Sequence, residues 1–159
     1  MRINSYKSPF IVLLAATLGL GACSKIDVFE KNIAVPGHLW QYSLQPVFDF
    51  TISDTGSLYN LYVVLRHTDA YRYYNIWLNI GSQAPTDTIR YQRFELQLGT
   101  DAAGWEGTGM DDIWEIRKSI LGPFKFNRTG SYKFSVAQVM RENPLPEIIS
   151  VGVRVEKIK

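Results

Sequence analysis

The thiol of Cys23 is the most reactive side chain in this sequence, and Cys23 is the only cysteine. A thiol can attack as a nucleophile, bind a metal, form a disulfide or become alkylated. One cysteine forms no disulfide within the chain, and exported proteins tend to avoid a free reactive thiol. The small residues Gly21 and Ala22 precede Cys23, and Leu20 precedes them. Of the four chemistries, this spacing favours alkylation.

The segment before Cys23 has the three-part layout of a secretory signal. Arg2 and Lys7 give a positive start, residues 10–20 are almost wholly apolar, and small residues follow. The apolar run is well short of the ~20 residues that cross a bilayer as a helix, so the segment is expected to be cleaved. Leu-Gly-Ala-Cys resembles the bacterial lipobox, in which diacylglycerol alkylates the thiol before cleavage in front of it. We therefore predict that residues 1–22 are removed and that Cys23 is the lipidated first residue.

Few other residues have the spacing of a catalytic site. The two histidines, His38 and His67, are far apart and outside any His-Glu-x-x-His motif. The sequence contains no Gly-x-Ser-x-Gly nucleophile motif. The glycine-rich segment 104–109 lacks the lysine of a phosphate-binding loop. The sequence therefore predicts that the protein is not an enzyme and needs no cofactor.

The irregular segment 99–112 contains the one group of acidic residues with a conceivable cation-binding role. Carboxylate oxygens are the ligands that Ca2+ prefers, but the spacing here is not that of an EF-hand. A solvated acidic loop is the favoured interpretation. The acidic residues are Asp101, Glu106, Asp111 and Asp112.

An aromatic and amide-rich face is predicted within residues 73–80. If this segment is a strand, alternate residues share a face, and one face carries Tyr73, Asn75, Trp77 and Asn79. Aromatic rings and amides can stack on and hydrogen-bond a sugar or the polar edge of a partner; the alternative is that another part of the chain covers this face. Trp105 poses the same choice between a ligand platform and a plug for an open end of the fold.

These residues belong to a chain of short strands separated by turns. Alternation of apolar and polar residues predicts seven or so strands, six of them with clear bounds, and both faces of the strand at 59–68 are apolar, so it should be central. Residues 113–121 fit a helix or a strand, and the last two strands are predicted to form a hairpin. The pattern predicts an all-β antiparallel β-sandwich, jelly-roll-like, with at most one short helix. The predicted strands are 47–52, 59–68, 73–80, 89–98, 130–140 and 149–156.

Length and charge fit one domain behind a removable leader. Residues 23–36 lack a long regular pattern and are predicted to be a short lipidated tether that leads into a first extended segment, and residues 37–159 are predicted to be a single β-sandwich domain. The chain has 17 Lys and Arg against 15 Asp and Glu, and the excess consists of Arg2 and Lys7 in the leader. The remaining chain is neutral and has no basic run, which excludes nucleic acid as a partner.

Several further short motifs lie along the chain after Cys23. They are Tyr74-Asn75-Ile76-Trp77, Gly104-Trp105 with Gly107 and Gly109, Gly130-Ser131-Tyr132-Lys133-Phe134, Gln138-Val139-Met140-Arg141, and residues 145–152. Together with the Leu-Gly-Ala-Cys motif, they resemble the gliding-motility lipoprotein GldH family over nearly the whole chain.

The resemblance implies an outer-membrane lipoprotein that associates with other envelope proteins of the gliding machinery and the linked type 9 secretion system. It implies no catalytic residue. After Cys23, Ser24-Lys25-Ile26 lacks the acidic cluster that marks surface export in such bacteria, so the periplasmic face is expected.

For partner contact we predict Trp105, Gln138, Met140 and Arg141. The planar fork of Arg141 suits a carboxylate, either within its own loop or on a partner. The alternative function is a carbohydrate-binding envelope lipoprotein that uses the aromatic and amide face.

Overall fold

The computed structural model describes residues 28–158, and nearly all of their regular structure is β-strand. None of these residues forms a helix with the length and apolarity of a membrane crossing. Cys23 and the predicted leader lie outside the described residues. The elements are β1 (Val28–Ala34), a 3-10 helix (Pro36–His38), β2 (Leu39–Trp40), β3 (Val47–Ile52), β4 (Tyr59–Thr68), β5 (Asn75–Gln83), β6 (Arg90–Gln97), β7 (Gly99–Thr100), β8 (Gly104–Trp105), β9 (Thr108–Met110), β10 (Ile113–Phe124), β11 (Gly130–Gln138), β12 (Leu145–Pro146) and β13 (Ile148–Lys157).

The long strands form two antiparallel sheets. The first sheet has the order β1-β13-β4-β10-β9, and the second has the order β3-β11-β5-β6. Two short ladders, β12-β2 and β7-β8, lie outside them. Without the strands of two or three residues, the first sheet holds the first, eighth, third and sixth long strands, and the second sheet holds the second, seventh, fourth and fifth. This is the strand order of a jelly roll, so the predicted fold class is confirmed.

Side-chain alternation explains how the two sheets pack. In β3, Phe48, Phe50 and Ile52 are buried and the residues between them are exposed. The Phe50 ring lies 5.5 Å from that of Phe134 in its own sheet and 5.4 Å from that of Phe29 in the opposite sheet. Each large apolar side chain buried in this way contributes ~1.5–3 kcal/mol to folding. The single core between the sheets therefore holds the sandwich together.

The structure resolves the open assignment of residues 113–121 in favour of a strand. They belong to β10, which pairs with β4 on one side and β9 on the other. Ile116 is buried opposite Leu65, while Arg117 points to solvent. Strand β4 lies between β13 and β10, as its two apolar faces predict.

The predicted hairpin of the last two long strands is wrong. Strand β11 lies in the second sheet, and β13 lies in the first sheet between β1 and β4. Val151, Gly152 and Val153 are all buried, so β13 is covered on both faces. Strand alternation reveals a buried face but not which neighbour covers it, and the jelly-roll connection crosses between the sheets.

Part of the predicted tether, residues 23–36, belongs to the folded domain. Residues 28–34 form β1, which pairs with β13 from Val28 opposite Glu156 to Ala34 opposite Ser150. Phe29 and Ile33 pack against the core, which is the physical reason for a strand here. Residues 24–27 alone separate Cys23 from β1.

Register defines two ends of the sandwich. In the β13-β4 pair, Lys157 lies opposite Tyr59 and Ile148 lies opposite His67. We call these the Tyr59 end and the His67 end. Strand β1 begins at the Tyr59 end, because Val28 is opposite Glu156. Strand β5 begins at the His67 end, because a short turn joins it to the last residue of β4.

Candidate functional site

A cavity of about 440 Å³ lies on the outer face of the second sheet, at the His67 end. It lies between β5, β6 and the segment that follows β11. We call it the β5 cavity, and its lining consists of Tyr73, Asn75, Trp77, Arg93, Val139, Met140 and Arg141. It brings together five of the predicted site residues, which are Tyr73, Asn75, Trp77, Met140 and Arg141.

The alternation of β5 positions the floor of this cavity. Ile76 and Leu78 are buried in the core, so the side chains of Asn75 and Trp77 emerge on the outer face as predicted. The wall comes from the chain after β11, which stays attached to β5. The backbone N–H of Val139 donates to the Trp77 carbonyl at 2.9 Å, and the Trp77 N–H donates to Sδ of Met140 at 3.2 Å.

Three of the lining side chains are already engaged within the chain. The Tyr73 hydroxyl donates to Oε2 of Glu142 at 2.9 Å, and this hydrogen bond raises the pKa of Tyr73 above its ordinary value. The Asn75 amide donates to Oε1 of Glu95 at 2.6 Å. The Trp77 ring has the guanidinium of Arg93 over it, with Cζ 5.1 Å from the ring centroid.

The two arginines of the cavity differ in how they are held. Arg93 is oriented by the Trp77 ring and by a hydrogen bond from Nη2 to the Val139 carbonyl at 3.3 Å. Arg141 is exposed, and within residues 28–158 no hydrogen bond, ion pair or ring contact involves its side chain. Of the two predicted partners for Arg141, a carboxylate in its own loop is therefore absent from the described part of the chain. The neighbouring acid, Glu142, pairs instead with Arg72.

Gln138 does not line the cavity. It is buried, and its side chain bonds only backbone groups: Nε2 donates to the carbonyls of Trp40 at 3.2 Å and Glu142 at 3.3 Å. Its Oε1 accepts the N–H of Met140 at 2.8 Å. Gln138 therefore holds Met140 and Arg141 in place from behind and is not a contact residue of this surface.

Trp105 lies apart from the cavity and closes the His67 end of the core. Its ring centroid is 4.5 Å from that of His67 and 4.8 Å from that of Tyr74. It is partly buried against the core, which matches the plug that was one of its two predicted roles. His67 beneath it is fully buried, and its Nδ1–H donates to the Thr68 carbonyl at 2.7 Å.

The predicted acidic loop is held by short strands and does not gather its carboxylates. Segment 99–112 contains the β7-β8 ladder and β9. Glu106 pairs with Lys118 of β10. Among residues 28–158, no group of three or more His, Cys, Asp or Glu side chains is arranged to hold a metal ion.

Sequence reasoning missed Arg93, which shapes the cavity as much as Trp77 does. Strand β6 was predicted, but the partner of each of its residues was not. In the structure Arg93 lies opposite Asn79 and beside Glu95, which is opposite Trp77. The alternation of β6 places Arg93 and Glu95 on its outer face, and a register for the β5-β6 hairpin would have located them.

The outer face of the first sheet is different, because its charges are paired with one another. Glu30 of β1 accepts from Arg154 of β13 at 2.8 Å, and Arg117 of β10 bridges Glu30 and Glu115. Arg66 of β4 donates to Glu115 at 2.6 Å. Partial burial acts to raise the pKa of Glu30. The hydrogen bond from Arg154 and the charge of Arg117 act in the opposite direction, and together these interactions leave the pKa below its ordinary value. This network crosses four strands and covers the middle of the sheet.

Comparison with known proteins supports the family resemblance. Residues 27–155 match the family model for the GldH lipoprotein. The chain is 31% identical to the gliding motility lipoprotein GldH of Flavobacterium johnsoniae, over 95% of this chain and 97% of the relative. It is 27% identical to a gliding motility lipoprotein GldH homolog of Christiangramia forsetii, over 98% of each chain. The chain belongs to the GldH lipoprotein family.

Proposed function

We propose that this chain is an outer-membrane lipoprotein, acylated at Cys23, that acts as a non-catalytic structural or assembly component of the gliding and type 9 secretion apparatus. Three independent features support the proposal. The relatives are named gliding motility lipoproteins, the leader ends in Leu-Gly-Ala-Cys, and the folded domain starts at β1, directly after residues 24–27.

The observation that carries the proposal is the short separation of Cys23 from β1, which only residues 24–27 span. An anchor at Cys23 would therefore orient the domain. Four residues of extended chain reach at most ~14 Å, so acylation at Cys23 holds the Tyr59 end of the sandwich near the lipid. From Tyr59 to His67 a strand at ~3.4 Å per residue extends about 27 Å, so the β5 cavity lies at the end that faces away from the membrane. An anchored domain with its cavity displayed outward is well arranged for contact with another envelope component.

A contact role also agrees with the chemistry of the cavity. Its lining combines Tyr, Trp, Met and Arg, the residue types that are enriched at protein interfaces. Neither histidine and no acidic residue belongs to that lining. We propose that the domain faces the periplasm, because Ser24-Lys25-Ile26 lacks the acidic cluster of surface-exported lipoproteins.

Two measurements test the anchoring and the role separately. Radioactive palmitate should label the chain and should not label Cys23→Ala, which should leave the membrane fraction; a variant that is still labelled contradicts acylation at Cys23. Deletion of the gene in its own host should impair surface spreading and export by the type 9 system. An intact secretome and normal spreading in the deletion strain contradict the proposed role.

A second candidate function is carbohydrate binding. One observation favours it: three of the four residues of the predicted sugar-binding face, Tyr73, Asn75 and Trp77, line a single cavity. A glycan array probed with the full chain and with Trp77→Ala tests it. Binding that Trp77→Ala abolishes supports the function, whereas an absence of binding or an equal response of the two chains contradicts it.

A further inference from the structure

We propose that the β5 cavity binds a carboxylate carried by an acidic stretch of a partner polypeptide, with Arg141 as its main contact and Arg93 as its second. This inference rests on the proposed contact role and adds the site and the chemistry of the partner.

The groups that a neutral sugar would use are occupied. The Asn75 amide is bonded to Glu95, and the Tyr73 hydroxyl is bonded to Glu142. The Trp77 ring carries the Arg93 guanidinium, so a sugar ring that stacked there would compete with a cation. These three side chains shape the cavity but offer few unused hydrogen-bonding atoms to a ligand.

The free group is the guanidinium of Arg141, which has no partner within residues 28–158. An arginine beside a second arginine and without a carboxylate is a site for an anion, because a guanidinium fork binds carboxylate through two parallel hydrogen bonds. The two acids that border the cavity are engaged by other side chains: Glu142 is held by Arg72 and Tyr73, and Glu95 accepts from Asn75 and lines the neighbouring cavity of about 520 Å³. The charged side chains in the lining of the β5 cavity, Arg93 and Arg141, are both cationic.

The other lining residues indicate that the molecule carrying the carboxylate is a protein. The residues that dominate binding energy at protein interfaces are enriched in Trp, Tyr and Arg, and Met adapts its shape to a partner surface. The buried Gln138 fixes the backbone of Met140, so Arg141 is presented from a held segment and not from a loose loop. On the outer face of the first sheet, Arg66, Arg117 and Arg154 are paired with acidic residues, whereas, within residues 28–158, Arg141 in this cavity is not.

The test measures binding of defined probes to the full-length chain in detergent micelles. The probes are an acetylated and amidated hexaglutamate peptide, the matching hexaglutamine peptide, and trigalacturonate as an acidic saccharide. Amide and indole N–H resonances report the contact, with Trp77→Phe identifying the Trp77 indole signal. Arg141→Gln and Arg141→Lys are compared with Arg90→Gln, which alters an exposed arginine of β6 outside the cavity lining.

We expect hexaglutamate, but not hexaglutamine, to shift the Trp77 indole and the Met140 amide. Loss of a hydrogen bond to a charged group weakens binding by roughly tenfold or more, so Arg141→Gln should show at least that loss and Arg141→Lys a smaller one. Arg90→Gln should bind like the natural chain. Equal binding by Arg141→Gln, or no shift with hexaglutamate, overturns the proposal. Shifts with trigalacturonate alone also overturn it and assign the cavity to an acidic saccharide.

A second arm separates this inference from the proposed function. In the host, Arg141→Gln should accumulate at the natural level and reproduce the spreading defect of the deletion strain. If deletion impairs spreading while Arg141→Gln spreads normally, the cavity proposal fails and the proposed function stands. If deletion itself has no effect, the proposed function fails, whatever the peptide titration shows.

Discussion

The guanidinium of Arg93 lies over the indole of Trp77, 5.1 Å from the ring centroid, and also donates to the carbonyl of Val139 at 3.3 Å. One side chain of β6 therefore contacts both β5 and the segment after β11. A cation over an aromatic ring at an exposed site stabilises a fold by ~0.5–1 kcal/mol. Arg93 therefore links the floor of the β5 cavity, at Trp77, to its wall, at Val139.

Removal of this contact should loosen the cavity without unfolding the domain. Arg93→Ala should lower the free energy of unfolding by ~0.5–1 kcal/mol, as measured by urea denaturation. It should also make Trp77 more accessible to acrylamide quenching, with the Trp77→Phe background identifying the change. Arg90→Ala, on the same strand, is the matched control. An equal loss of stability in both variants would show that the Trp77 contact contributes nothing.

Gln138 is predicted to be a structural residue whose loss affects stability first. Its amide satisfies the carbonyls of Trp40 and Glu142 and the N–H of Met140. Each buried polar group that loses its partner costs ~1–3 kcal/mol, so Gln138→Leu should destabilise the domain by at least ~2 kcal/mol in urea denaturation. Gln92→Leu, at an exposed position of β6, should change stability far less. Equal stability of Gln138→Leu and the natural chain would contradict this assignment.

The sequence predicted individual strands better than their partners, for a physical reason. Strands β3 and β4 have the predicted bounds, 47–52 and 59–68, because one face of β3 meets water and both faces of β4 are apolar. Pairing depends on contacts between distant residues, and the alternation of a strand does not encode its neighbours. The predicted hairpin of the last two strands failed for this reason.

The candidate site also contains residues that the sequence pattern places correctly and one residue that it does not. Asn75 and Trp77 share the outer face because adjacent strand residues alternate, and the structure brings them together with Tyr73, which precedes β5, and with Met140 and Arg141. The alternation that buries Phe134 and Val136 also turns Gln138 inward, so its burial follows from the pattern of β11. Arg93 depends on the register between two strands, which the pattern of neither strand supplies.

Gly152 is predicted to be essential for the approach of β1 to β13. A Cβ added there would lie 1.9 Å from Oδ1 of Asn32 and 2.6 Å from the Lys31 carbonyl. The side chain of Asn32 can rotate away, but the backbone carbonyl cannot, so Gly152→Ala should cost ~1–3 kcal/mol of stability. Gly56→Ala, where the new Cβ would meet Oδ1 of Asp54 at 3.3 Å, is the control and should cost less.

Hydrogen exchange of the β1 amides locates the effect of Gly152→Ala. Faster exchange confined to β1 and its partner β13 is the expected result, because the clash lies between these two strands. A Gly152→Ala chain with natural stability and natural exchange in β1 would contradict the close approach of the two strands.

His67 should make the domain less stable in mild acid. Burial lowers the pKa of His67, while its hydrogen bond to the Thr68 carbonyl acts in the opposite direction. In the described residues Nε2 is buried without a hydrogen-bond partner, so a proton bound there would be unsatisfied. The unfolded chain binds this proton more readily than the folded chain, so stability is complete above the ordinary histidine pKa of about 6.5 and falls as the pH decreases below it.

Urea denaturation between pH 5 and 8 measures this effect. For the natural chain we expect a flat region above about pH 7 and a loss approaching ~1.4 kcal/mol per pH unit below about pH 6. His67→Phe keeps an aromatic ring against Trp105 and should lose most of that slope. Glu30 and Asp54 have lowered pKa values, so their contributions change below about pH 4.5 and do not obscure the comparison. Equal slopes for the two chains between pH 5 and 6.5 would show that the buried imidazole does not govern acid stability.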